Sequence, residues 1–73
     1  MSQYFVVTSP AVIGNMLGQR GYIVPKDKWI VCEKGECDDG KRGSIAVSPL
    51  FSEAADAVAE AARLNETLRV AGT

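Results

Sequence analysis

Two runs, Tyr4-Phe5-Val6-Val7 and Trp29-Ile30-Val31-Cys32, are apolar at every position. Successive side chains of a β-strand point to opposite faces, so a strand without polar alternation needs cover on both sides. Both runs are β-branched and aromatic, as strands are. Residues 22–24 share that character, and residues 44–47 alternate small polar with apolar side chains. The expected fold class is α+β: a three- to four-stranded, mainly antiparallel sheet with central strands at 3–8 and 29–32.

Cover for one face comes from the C-terminal third. On a helical wheel centred on Val58, the residues Phe51, Ala54, Ala55, Ala61, Ala62 and Asn65 fall on one side and Glu53, Asp56, Glu60 and Arg63 on the other. Ser52 is the expected N-cap, with Ser48-Pro49 as an earlier start. A stripe made mostly of alanine lets the helix approach its sheet closely, and a charge at Val58 is expected to unfold the domain. The second face needs either residues 10–18 or another molecule. Ser9 as cap, Pro10 at the first helical position and Ala11, Val12, Ile13, Met16 and Leu17 suggest a short helix, although Gly14 and Gly18 each cost it up to ~1 kcal/mol. Val7-Thr8-Ser9-Pro10 and Val47-Ser48-Pro49 echo each other, as if both strands fed helices in the same way.

A chain of 73 residues makes a single compact domain, 1–73. It lies near the size at which a lone core supplies only ~3–5 kcal/mol, so a partner subunit would help. At 47% hydrophobic and 23% charged, the composition is that of a globular domain. Charge is unevenly placed: Arg20 is alone before Pro25, whereas residues 26–42 carry five cations and five anions. Residues 35–43 read as a flexible charged loop and 69–73 as a frayed tail. No apolar stretch nears the roughly 18 residues that cross a bilayer, and Met1-Ser2-Gln3-Tyr4 lacks the basic flank of a secretory signal, so a cytoplasmic location is expected. A net charge of −1 provides no field toward nucleic acid or an anionic membrane.

The chain has no histidine, which removes the commonest general base and metal ligand. Gly35-x4-Gly40-Lys41 has the spacing of a phosphate-binding loop, but Arg42 stands where Ser or Thr should hold magnesium, and Glu36, Asp38 and Asp39 would repel phosphate. Cys32 and Cys37 could bridge across a hairpin if Lys34-Gly35 were its turn. The favoured reading is two reduced thiols, Cys32 in the core and Cys37 on a loop. Asp39-Gly40 reads as turn chemistry, and the acids around it lack the ligand order of a calcium loop. No catalytic, cofactor-binding or metal-binding residues are assigned, and the chain is not expected to be an enzyme.

Binding remains. The nearly uncharged N-terminal third suggests a protein-interaction module with Tyr4, Val12, Ile13, Met16 and Leu17 at the interface. Its partner would be itself, as a homodimer, or a host protein. In size, lack of histidine and near-neutral charge the chain is similar in style to short reading frames carried by phages and mobile elements, many of which act by binding a host protein. The alternative is a single-stranded nucleic-acid binder, with Tyr22 stacking on bases and Arg20, Lys26, Lys28, Lys41 and Arg42 holding phosphates.

Overall fold

A computed structural model describes residues 3–71. The elements are β1 (Tyr4–Thr8), β2 (Val12–Gly14), β3 (Arg20–Ile23), β4 (Trp29–Glu36), β5 (Arg42–Ala46) and α1 (Ala54–Ala71). The class is α+β, with one five-stranded sheet in the order β1-β4-β5-β2-β3. Three of its four pairings are antiparallel, and β2 meets β5 in parallel at Gly14 and Ile45, so the sheet is mixed.

The fifth strand replaces the expected short helix. Beyond a cis Ser9-Pro10 bond, Val12 and Ile13 are β-branched and alternate exposed with buried, and the next residue, Gly14, lets two backbones close up. A Cβ at Gly14 would sit 3.3 Å from Cys37 Sγ and 3.4 Å from the Ser44 carbonyl oxygen. Two glycines had already weakened the helical alternative, and pairing on both sides of β2 outweighs what remained of it.

Strand β4 is covered on both faces. On one side Val31 packs with Ala57 and Ala61 of the helix, joined by Tyr4, Val6, Trp29, Phe51 and Leu64. On the other, Ile30 and Cys32 pack with Ile13, Val24 and Ala46, flanked by Phe5, Val7 and Tyr22. The second cover therefore comes from the β2–β3 hairpin of the same chain. Strand β1, expected to be central, is an edge; its apolar run is explained by lying over the two clusters.

The helix is rotated by about one residue from the expected face. Its buried line is Ala57, Ala61 and Leu64, at i, i+4 and i+7, and Val58 is 57% exposed. A polar residue sets this rotation. Asn65 Oδ1 accepts hydrogen bonds from the amides of Gln3 (3.1 Å) and Tyr4 (2.9 Å), and its Nδ2 donates to the Tyr4 carbonyl (3.0 Å). The side chain thus stands in for a sixth strand at the open edge of β1. At the N-terminus the Glu53 carbonyl accepts the first helical bonds, while the Ser52 hydroxyl receives Lys28 Nζ at 2.7 Å. Neither Ser-Pro pair opens a helix. The helix runs on to Ala71, through part of the segment expected to fray; residues 72 and 73 lie outside those described.

Candidate functional site: an apolar cleft beside a braced turn

The β2–β3 connection, residues 15–19, is tied together by Asn15. Its Oδ1 accepts from the amides of Leu17 (2.8 Å) and Gln19 (3.1 Å), and its Nδ2 donates to Gln19 Oε1 (3.1 Å). The Asn15 amide donates to the Gln19 carbonyl and the Gly18 amide to the Asn15 carbonyl, both at 2.9 Å. Asparagine favours such turns because its short side chain reaches backbone groups two residues on. Gly18 takes the left-handed conformation the turn requires (φ 81°), and its carbonyl receives the Asp38 amide at 2.9 Å, locking the turn to the β4–β5 hairpin. At the tip of this brace Met16 is 65% and Leu17 80% exposed.

The opposite wall comes from an interruption in the strand ladder. The Val31 carbonyl accepts from the Val47 amide in ordinary strand fashion (2.9 Å), but the Val31 amide donates to the Ser48 hydroxyl (3.0 Å), which donates on to the Pro49 carbonyl (2.9 Å). Regular pairing resumes at Phe51, which exchanges both backbone bonds with Trp29. Proline has no amide for a ladder, so Pro49 and Leu50 bulge outward beyond the buried Ser48 and leave Leu50 partly exposed.

Between tip and bulge lies a cleft of about 420 Å³. Tyr22, Ile30 and Ala46 form its floor, with Met16 and Leu17 on one lip and Pro49 and Leu50 on the other. The polar groups at its margin, the Asn15 amide and the Ser48 hydroxyl, are already hydrogen-bonded within the chain. Among the described residues no carboxylate, amine or thiol lines it. The lining is mainly apolar, with the Tyr22 phenol and the hydrogen-bonded Ser48 hydroxyl as its hydroxyl groups, and can accept apolar side chains.

The structure divides the residues expected at an interface. Met16 and Leu17 come together at the cleft. Ile13 is buried in the core and Tyr4 is half-buried against the helix, so neither is available. Val12 is exposed, but its side chain alternates with that of Ile13 onto the other face of the sheet, opposite Ile23. Leu50 and Tyr22 join the site instead. A proline amid strand-like residues was the available signal for the bulge that presents Leu50.

The cations expected to hold phosphates are scattered. Lys28 is bound to Ser52 beside Trp29, whereas Lys41 and Arg42 lie at the far end of the eight-residue β4, where Arg42 pairs with Glu36, ~25 Å away. Lys26 is exposed in the turn before β4. Arg20 pairs with Asp39, donates to the Arg42 carbonyl at 2.9 Å and lies over Gly43. Phe5, with Lys34 Nζ 5.8 Å above its ring, and Trp29 pack on the two cores and Tyr22 floors the cleft, so the five cations expected to hold phosphates do not gather with the aromatics on one exposed face.

The remaining chemistry is structural. Lys34 and Gly35 lie inside β4, which keeps Cys32 within the strand and Cys37 just past its end, ~17 Å apart, as free buried thiols. Cys37 is buried rather than on an exposed loop. Gly40 (φ 81°) closes the hairpin with its amide on the Cys37 carbonyl. The Asp39 carboxyl is held below its ordinary value by the Lys41 amide and by Arg20. Among the described residues no group of three or more Cys, Asp or Glu could hold a metal ion, and no helix is long and apolar enough to cross a membrane.

Burial pushes the Cys32 thiol from 9.0 up to about 11. A raised acid favours the neutral form in the folded state, so its contribution is complete below pH 9 and lost as pH rises through 11. Urea denaturation across that window should show the native chain losing about 2 kcal/mol more than Cys32→Ala. Parallel losses in the two proteins would show that Cys32 does not carry the effect.

No family model, no curated protein and no solved structure matches this chain.

Proposed function

We propose that this chain is a small, non-enzymatic protein-interaction module that binds through the turn at residues 15–19 and the cleft behind it. The observation that carries this reading is the exposure of Met16 and Leu17 on a turn fixed by its own hydrogen bonds. An exposed apolar loop that had to order on binding would lose about 0.5–1.5 kcal/mol per immobilised side chain. Here the backbone has lost its freedom in advance. Methionine and leucine around an aromatic floor, without charge, make the kind of surface found at the centre of protein interfaces.

A photo-crosslinking amino acid at position 17, in cells producing the chain, tests the reading. The expected result is a discrete protein adduct that disappears when Leu50→Asp is added and does not form from position 66 on the exposed side of α1. Equal labelling from positions 17 and 66, or no protein adduct from 17, would overturn it.

A further inference from the structure

We infer that Asp39-Gly40, in the turn between β4 and β5, is a latent site of isoaspartate formation, and that Arg20, reaching over from β3, is the residue that holds the reaction back. The inference goes beyond the reading of the cleft and does not depend on it.

Among the aspartates of the chain only Asp39 is followed by glycine. Glycine has no side chain to screen its amide nitrogen, so the carboxyl one residue earlier can close on it. In that step the Gly40 nitrogen bonds to Asp39 Cγ, and the hydroxyl of the protonated carboxyl leaves with the amide proton as water. The product is a cyclic imide. Water then adds to one of its two carbonyls: opening at the Asp39 main-chain carbonyl carbon leaves the chain running through Cγ, as isoaspartate, and opening at Cγ restores aspartate. The net change is an isomerisation, with nothing oxidised or reduced.

Closure needs a neutral carboxyl that is free to turn toward Gly40 nitrogen, and the fold opposes both requirements. Asp39 Oδ1 accepts from the Lys41 amide at 2.9 Å, and Oδ2 accepts from Arg20 Nε. The same two donors favour the ionised form. The Gly40 amide is engaged too, donating to the Cys37 carbonyl at 3.0 Å. The Lys41 and Cys37 bonds belong to the turn itself. Arg20 does not: it comes from β3, which β2 separates from β5 in the sheet. Its guanidinium is set in place independently of Asp39, because Nη2 donates to the Arg42 carbonyl at 2.9 Å and the group lies over Gly43, where a Cβ would come within 3.3 Å of Nη1. The fork therefore waits where the carboxylate must be held. An isoaspartyl residue would add a main-chain atom to a turn whose Asp38 amide is tied to the Gly18 carbonyl at 2.9 Å, so the guarded turn also supports its neighbour.

Incubation of the purified full chain in mildly acidic buffer, followed by peptide mapping with electron-transfer fragmentation, tests this. Arg20→Gln should form isoaspartate at position 39 about fivefold faster than the folded native chain, the effect of losing one charge-assisted surface bond. The rate at Asp27, outside this turn, should be unchanged, and the native chain unfolded in urea should react at position 39 at least as fast as the variant. Asp39→Glu, which would have to close a larger ring, should abolish the product there. Circular dichroism verifies that Arg20→Gln is folded, and Arg20→Lys, which keeps the charge and loses the fork, replaces it if not. Equal rates at position 39 in native and variant chains would overturn the role of Arg20, and equal acceleration at positions 27 and 39 would reduce it to general loosening. No isoaspartate at position 39 even in urea would overturn the site itself.

Discussion

Ala57→Asp is expected to leave the chain unfolded in water, while Val58→Asp, one position later, should change stability by no more than about 0.5 kcal/mol. Ala57 is fully buried, packed with Val31 and Ala61 in the apolar cluster where helix meets sheet. Burying an unpaired charge costs several kcal/mol, and a domain of this size has only about 3–5 kcal/mol to lose. Val58 is 57% exposed, and its replacement gives up little burial. Far-UV circular dichroism with urea titration checks both. Unfolding by Val58→Asp with tolerance of Ala57→Asp would mean that the helix packs through the other side of its alanine-rich surface.

The second large effect is expected at Asn65. Asn65→Ala removes three hydrogen bonds between the helix and the edge strand and leaves the Tyr4 amide and carbonyl without their partner. At about 1 kcal/mol for each bond, and more for groups left partly buried, the loss should reach about 3 kcal/mol. It should also free the edge of β1 for pairing with other chains, seen as association that grows with concentration. Asn65→Asp separates the contributions, since it keeps acceptors for the Gln3 and Tyr4 amides but turns an oxygen toward the Tyr4 carbonyl. Its stability should fall between those of the native chain and Asn65→Ala. A loss below about 1 kcal/mol for the alanine variant would show that Asn65 does not anchor the helix.

Those two positions also show what the sequence could reveal. Continuous apolar character at Trp29-Ile30-Val31-Cys32 correctly marks a strand buried on both faces, because no polar residue competes with that reading. The existence of α1 was equally legible. Its rotation was not, since alanines at 54, 55, 57, 59, 61 and 62 surround most of the helix, and apolarity alone picks no unique stripe. The deciding contact is a polar one to a strand some sixty residues away. Strand β2 was hidden for a related reason: three residues have little propensity of their own, and pairing with β3 and β5 decides their state. At the cleft, Met16 and Leu17 were visible as apolar residues between glycines. The alternation that buries Ile13 and turns Val12 away appears only once the segment is known to be a strand.

The central claim is that the apolar turn tip serves a purpose outside the fold, and urea denaturation of Leu17→Asp tests it most directly. The expected result is a folded protein whose stability lies within about 0.5 kcal/mol of the native chain with an unchanged urea dependence, as for a side chain that contributes nothing to the core. A loss of about 2 kcal/mol or more would contradict the account, because it would place Leu17 among the residues that hold the domain together.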